Sequence, residues 1–211
     1  QRHPEQIQLL AVSKTKPAAL ILEAMAGGQV HFGENYLQEG LSKQRMIGEP
    51  GIEWHYIGAI QSNKTRPIAE HFHWVHTVDS LKIARRLSDQ RPAHLPPLKV
   101  MVQVNVNDEA TKAGLPTREV PALIDNMLAL PRIEVRGLMA IPRQASELAV
   151  QRAHFSQVRT LFEAVRDRFG TRLAHFEDLS MGMSGDMEAA IAEGSTWVRI
   201  GTAIFGARTT T

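Results

Sequence analysis

The feature that most restricts what this chain can fold into is a regular alternation of short apolar, β-rich runs with segments of helical spacing, sustained almost end to end. Strand-like runs fall at residues 7–14, 30–34, 53–60, 74–78, 99–105, 134–140, 175–181 and 197–201. Helical spacing fills 17–26, 36–46, 65–72, 80–88, 118–130, 147–169 and 186–193. Pro17 suits a first helical turn, Ser80 an N-cap ahead of "LKIARRL", and Gly170 a C-terminal stop. Strand–helix alternation demands parallel strands joined by right-handed crossovers, and eight such strands predict closure into a (β/α)8 TIM barrel. An open doubly wound sheet is the alternative. The 211 residues, 43% hydrophobic, suffice for one domain spanning 1–211, with no internal repeat or linker. The proline-rich "RPAHLPP" at 91–97 reads as an ordinary connection. Strand eight ends near Gly201, so the usual eighth helix is expected to be missing, and a helix ahead of Gln1 is expected to cover that side of the barrel.

Charge excludes little but directs expectations. Lysine plus arginine number 24 against 22 acidic residues, a net +2, so the pI of about 9.1 reflects a small excess rather than a basic field, and no nucleic-acid partner is expected. With no cysteine, disulfides and thiolate metal ligands are excluded, which suits a reducing compartment. No apolar run reaches membrane-span length and no signal peptide is seen, so the expectation is a cytoplasmic protein without a membrane partner. The absence of a coiled-coil pattern makes a monomer the default.

In such a barrel the ligand sits at the C-terminal ends of the strands, often with a phosphate at the loops after strands seven and eight. Here those places read "SMGMSGDMEAAI" (180–191) and "WVRIGTAIFG" (197–206), with Gly201 and Thr202 at the second turn. Glycine-rich turns leading into helices bind phosphate because unpaired N–H donors converge on the anion; a single such turn is more often only a turn, but two at the expected strands favour phosphate. Strand eight neighbours strand one in a closed barrel, which brings Lys14 of "LLAVSKTKPA" beside Arg199 at one mouth. A lysine in a partly desolvated, cationic site has a lowered pKa, and its neutral amine can form a Schiff base with an aldehyde. The neighbouring phosphate subsite suggests a phosphorylated aldehyde cofactor. Spacing alone leaves Lys14 and Lys16 equivalent.

Together "AVSKTKP", "FGEN", "WHYIGAIQSNK", "RGLMAI", "MGMSGDMEAAI" and "GSTWVRIGTAIFGAR", in this order over nearly the whole chain, resemble the YggS/PROSC family of pyridoxal-phosphate-binding proteins, itself similar to the N-terminal barrel of alanine racemase. The resemblance implies a Schiff base between pyridoxal 5'-phosphate (PLP) and Lys14. It implies that Ser184, Gly201 and Thr202 bind the phosphate and that Arg199 faces the pyridine nitrogen, with Asn35 and Asn63 as further pocket residues. An arginine donates to an unprotonated pyridine nitrogen and disfavours the pyridinium that would serve as electron sink. Racemisation also needs a second acid–base group, a tyrosine from an additional domain in alanine racemase, and this chain has only Tyr36 and Tyr56. The implied role is therefore intracellular PLP homeostasis by holding and delivering cofactor to apo PLP enzymes, without efficient catalysis. Family members usually carry a helix ahead of "LLAVSK" and often a proline where Ala59 stands.

The alternatives are a PLP-dependent amino-acid racemase and, without cofactor, a barrel enzyme acting on a sugar phosphate. Lys112 in "DEATKAG" reads as a surface lysine or a second cofactor-handling one. His71, His73 and His76 of "HFHWVH" lack metal-ligand spacing, strand alternation separates His73 from His76, and all read as surface or rim histidines. Phe155, Val158, Leu161, Phe162, Val165 and Phe169 form a core stripe, and Arg152, Arg159, Arg166 and Arg168 a solvated face.

Overall fold

A computed structural model describes residues 2–107 and 113–207. Its strands in chain order are β1 Gln8–Val12, β2 His31–Glu34, β3 Glu53–Tyr56, β4 Trp74–Val78, β5 Leu98–Asn105, the two-residue β6 Leu115–Pro116, β7 Ile133–Ala140, β8 Asp178–Ser180 and β9 Trp197–Ile200. The helices are α1 Ala18–Ala26, α2 Leu37–Ile47, α3 Thr65–His71, α4 Leu81–Gln90, α5 Val120–Met127, α6 Leu148–Phe169, α7 Met187–Ala192 and α8 Thr202–Phe205. All strand pairings are parallel, and the ring closes because β4 meets β5 on one side while β1 meets β9 on the other. Eight strands thus form a TIM barrel, and β6 adds a short flank to the end of β5.

Parallel strands covered on both faces read as near-continuous apolar runs, and β4 is buried at every position. Two apolar layers result. Between strands and helices lies the larger, which includes the α6 stripe: Phe155, Val158, Phe162, Val165 and Phe169 are buried and Leu161 packs against them. Inside the ring sit Leu10, Trp74, Met101, Met139 and Trp197. The register Gln8↔Trp197 and Leu10↔Arg199 fixes which residues of the first and last strands share the interior.

Element boundaries differ from the sequence reading in instructive ways. β1 stops at Val12, so Lys14 stands in a turn and not on a strand. β3 stops at Tyr56 because the chain must next bring Gly58 against Asn35, where an added Cβ would lie 2.0 Å from the Asn35 carbonyl oxygen. Pro17 occupies the N-cap in an extended conformation, with α1 starting one residue later. Ser80 stands at the N-cap of α4 but makes no side-chain capping bond. Gly170, at φ 51, ends α6 as expected. After β9 the chain forms the one-turn α8 where no helix was expected. Near β1, the apolar side chains of Leu9 and Val30 stay 39% and 43% exposed.

Gly137 shows how tightly the ring is drawn. An added Cβ there would meet the Asp178 carbonyl oxygen at 1.7 Å, a backbone atom that cannot move without breaking the β7–β8 ladder. Gly137→Ala is expected to destabilise the protein by about 3 kcal/mol or more, read from the midpoint of chemical denaturation.

Candidate functional site

The site begins with the turn after β1. Ser13 N–H bonds to the Gly33 carbonyl on β2, and Lys16 N–H returns to the Ser13 carbonyl, closing a four-residue turn around Lys14 and Thr15. Thr15 adopts φ 62, a left-handed conformation that a β-branched residue resists, so something must hold it. The holding group is a buried cluster the sequence reading missed. Lys43 of α2 donates to Glu34 Oε1 (2.7 Å), Glu39 Oε1 (2.6 Å) and the Ser13 carbonyl (2.6 Å). Ser13 Oγ donates to Glu34 Oε1 at 2.6 Å, and Thr15 N–H to Glu39 Oε1 at 2.6 Å. The signal was the glutamate of "FGEN", an acid where a buried strand should be apolar.

The turn presents Lys14 to a cleft of about 660 Å³ at the C-terminal ends of the strands, within the size range of small-molecule sites. Lys14, Asn35, Ser184, Arg199, Gly201 and Thr202 all line it. Lys16 does not: its ammonium donates to the carbonyls of Gly206 (3.0 Å) and Ala207 (2.7 Å). The two lysines that spacing left equivalent are thus separated. Asn63 is the exception among the expected residues. It lies in the 3-10 turn Ser62–Lys64, which Arg86 ties to α4 through the Ser62 carbonyl (2.8 Å), and it is outside the cleft lining. Lys112 lies outside the described residues.

Arg199 forms the inner wall. Its guanidinium donates to the Ser180 carbonyl (2.7 Å), Ser180 Oγ (2.8 Å) and the Ala140 carbonyl (3.0 Å). Burial lowers its pKa to about 10, with Asp186 acting in the opposite sense, so it remains a cation at neutral pH. The loop after β8 is fixed from both ends. Met183 N–H donates to Asp186 Oδ1 at 2.6 Å, and Arg199 N–H to the Gly182 carbonyl at 3.0 Å. Gly182, at φ 95, has Ala190 Cβ 2.5 Å from where its own Cβ would be, so no other residue fits. Ser184, from the loop after β8, and Thr202, at the start of α8, are exposed at the mouth. Gln144, Ala145 and Ser146 after β7, with Gln151 of α6, complete the rim. Gln151 bridges the two loops, donating to the carbonyls of Ala145 (2.8 Å) and Gly185 (3.3 Å). The rule that barrel ligands meet the loops after strands would have found these residues.

Other expectations change. His76 is no rim residue but fully buried inside the barrel, while His73 sits outside and accepts from Trp54 N–H at 2.9 Å. Arg152 and Arg159 are not simply solvated: both pair with buried Glu193 at 2.7 Å.

The family model described as alanine racemase, N-terminal domain, matches residues 1–209. Pyridoxal phosphate homeostasis proteins of Pseudomonas aeruginosa and Escherichia coli K12 are 58% identical over 207 residues and 55% over 210, each covering 98% of this chain and 87% or 88% of the relative. The structure of PipY from Synechococcus elongatus PCC7942 with PLP bound superposes with a TM-score of 0.88 at 40% identity, covering 97% of this chain and 95% of PipY. A Clostridium difficile alanine racemase shares the fold alone, with a TM-score of 0.77 at 15% identity, over 99% of this chain and 54% of that one.

The clamp under Lys14 generates a stability prediction. Burial raises the Glu34 pKa, opposed by Lys43 and Ser13. A carboxyl whose folded pKa is raised contributes stability that is full below the ordinary carboxyl range and is lost as pH rises through the raised value. Denaturation of the wild type should therefore show this fall from about pH 4.3 upward, and Glu34→Gln should flatten it. Lys43→Ala, which strands the carboxylate, should cost about 3 kcal/mol or more at neutral pH.

Proposed function

We propose, from the premise that this chain belongs to the YggS/PROSC family of pyridoxal phosphate homeostasis proteins, that it holds PLP on Lys14 and serves as a carrier of that cofactor. The carrying observation is that Lys14 and the buried Arg199 face one cleft whose mouth is lined by Ser184, Gly201 and Thr202. The donor set fits the cofactor. Asn35 Oδ1 is buried with no hydrogen-bond partner among the described residues, a polar atom that awaits a ligand. When bound, the cofactor supplies an aldehyde that condenses with an amine and releases water.

The chain's own residues then have distinct tasks. Lys14 supplies the amine, held at the cleft by the clamp of Lys43, Glu34 and Glu39. Thr202 and Ser184 offer hydroxyls at the mouth, and the first N–H groups of the turn after Gly201 have no intrahelical acceptor, so both suit a phosphate. Arg199 donates without being able to accept, which suits an unprotonated ring nitrogen and withholds the proton that deep carbanion stabilisation requires. Asp186 also lines the cleft, but its Oδ1 is engaged by the Met183 N–H at 2.6 Å, and neither tyrosine is among the described lining residues. The Tyr56 hydroxyl donates to the Ala59 carbonyl at 3.1 Å and burial raises its pKa, while Tyr36 is 57% exposed at the start of α2. These features favour storage and delivery to apo enzymes over racemase turnover.

Mixing the protein with PLP should produce a visible absorbance band, fixed by borohydride on Lys14 and lost in Lys14→Ala. Label spread over Lys16 and Lys64 would defeat the assignment. In deuterated water the α-proton of added amino acids should exchange no faster than with free PLP, and sustained stereochemical inversion would overturn the carrier reading.

A further inference from the structure

Beneath Arg199 the barrel interior holds a row of imidazoles in place of the branched aliphatic side chains that usually fill such barrels. His31 Nδ1 lies 3.2 Å from His55 Nε2, and His55 Nδ1 lies 2.9 Å from His76 Nε2. His76 Nδ1 lies 2.9 Å from Ser180 Oγ, which accepts from Arg199 at 2.8 Å. The row runs from half-buried His31, at the start of β2, through His55, His76 and Ser180, all fully buried. Trp74 stacks on His55 and Trp197 packs against all three rings, walling the row off from water.

Donor accounting leaves this row little freedom. Arg199 can only donate, so Ser180 Oγ must accept and has one hydrogen left to give. Burial holds His55 and His76 neutral, each with one donor and one acceptor nitrogen. In one order the Ser180 hydroxyl donates to His76 Nδ1, His76 Nε2–H to His55 Nδ1, and His55 Nε2–H to His31 Nδ1. In the reverse order Ser180 accepts twice and its hydroxyl hydrogen must find another partner. Arg199 therefore selects the first order, with the Nε2–H tautomer along the row.

We propose that His31, His55 and His76, joined through Ser180, form a positioning relay for Arg199 that transmits hydrogen-bond polarity between the barrel floor and the inner wall of the cofactor cleft. The relay rests on the reading above that Arg199 meets the cofactor's ring nitrogen. His31 is the ring through which the floor can be addressed. A proton added to its Nδ1 would oppose His55 Nε2–H, forcing the whole row to reverse and placing a second donor on Ser180 beside Arg199. The charged and titratable groups around the row are Glu53, 3.9 Å from His31, Lys99, 3.6 Å from Glu53 and over Trp74, His73, and Arg136 with Asp178 and Glu134. Burial, opposed by Glu53, lowers the His31 pKa, so reversal belongs below the ordinary histidine range.

His31, Glu53 and His55 also bring one potential ligand atom each within 4.8 Å of one another. A cation there is disfavoured by the Lys99 ammonium, and Glu53 Oε2 already accepts from Trp74 Nε1 at 2.8 Å.

Nitrogen-15 NMR of histidine-labelled protein without cofactor decides the polarity. His55 and His76 should be neutral Nε2–H tautomers at neutral pH, and Ser180→Ala should mix the tautomers of His76. An Nδ1–H tautomer or a protonated ring at His76 in the wild type overturns the proposal, as does one-to-one Zn2+ binding that moves His31 and His55 and is lost in His31→Gln. With PLP added, Ser180→Ala and His31→Gln should each shift the pH midpoint of the visible band by about 0.5 unit or more, with the melting temperature of His31→Gln unchanged. Unshifted midpoints overturn the relay while leaving PLP binding intact. A wild type that takes up no PLP defeats the carrier reading and the relay's coupling to the cofactor, and the NMR result still decides the order of protons.

Discussion

The buried pair of Lys43 and Glu34 is the interaction on which the working part of this molecule depends. Its contacts tie together three separate segments, through the Glu34 carboxylate at the end of β2, the Glu39 carboxylate in the first turn of α2 and the carbonyl of Ser13. A buried ion pair is weak evidence for stability, because desolvation offsets attraction. Here its effect is conformational. Glu39 accepts from the Thr15 N–H, whose φ is positive, and Lys43 donates to the Ser13 carbonyl, so the cluster fixes the turn that carries Lys14. Position is what this cluster supplies, and the sheet supplies the rest, since β1 and β9 in register bring Arg199 to the same mouth.

The barrel separates its tasks by layer. Stability resides mainly between strands and helices, where the α6 stripe and the outward strand residues are buried. The interior is mixed, with methionines and indoles alongside imidazoles, a hydroxyl and a guanidinium. Close backbone approaches at Gly58 and Gly137 draw the strands together, and Gly182 makes room for α7 beside the loop after β8.

The architecture was legible in the sequence because parallel strands covered on both faces leave continuous apolar runs, and so was the grouping of Lys14, Arg199, Gly201 and Thr202, which follows from ring closure. What could not be read has a common cause. In a strand buried on both sides, periodicity does not say which residue points inward, so His55 and His76 gave no sign of their row. Lys43 stands on a helix at a spacing that normally means a solvated face, and only the fold reveals the acids around it. Asn63 belongs to a motif, but its turn is tied to α4 through Arg86, a contact without local trace in sequence.

The exposure gradient along the cleft bears on residence time. Ser184 and Thr202 stand open to solvent, Lys14 is half-buried and Arg199 is buried. Under the proposed reading, the phosphate end of a bound cofactor stays wet while its ring end is enclosed. Release would then be governed by how fast the bond at Lys14 is broken, by water or by an incoming amine, more than by diffusion out of the cleft. A holder built this way gives up its cargo at a rate set by the nucleophile that arrives at its mouth.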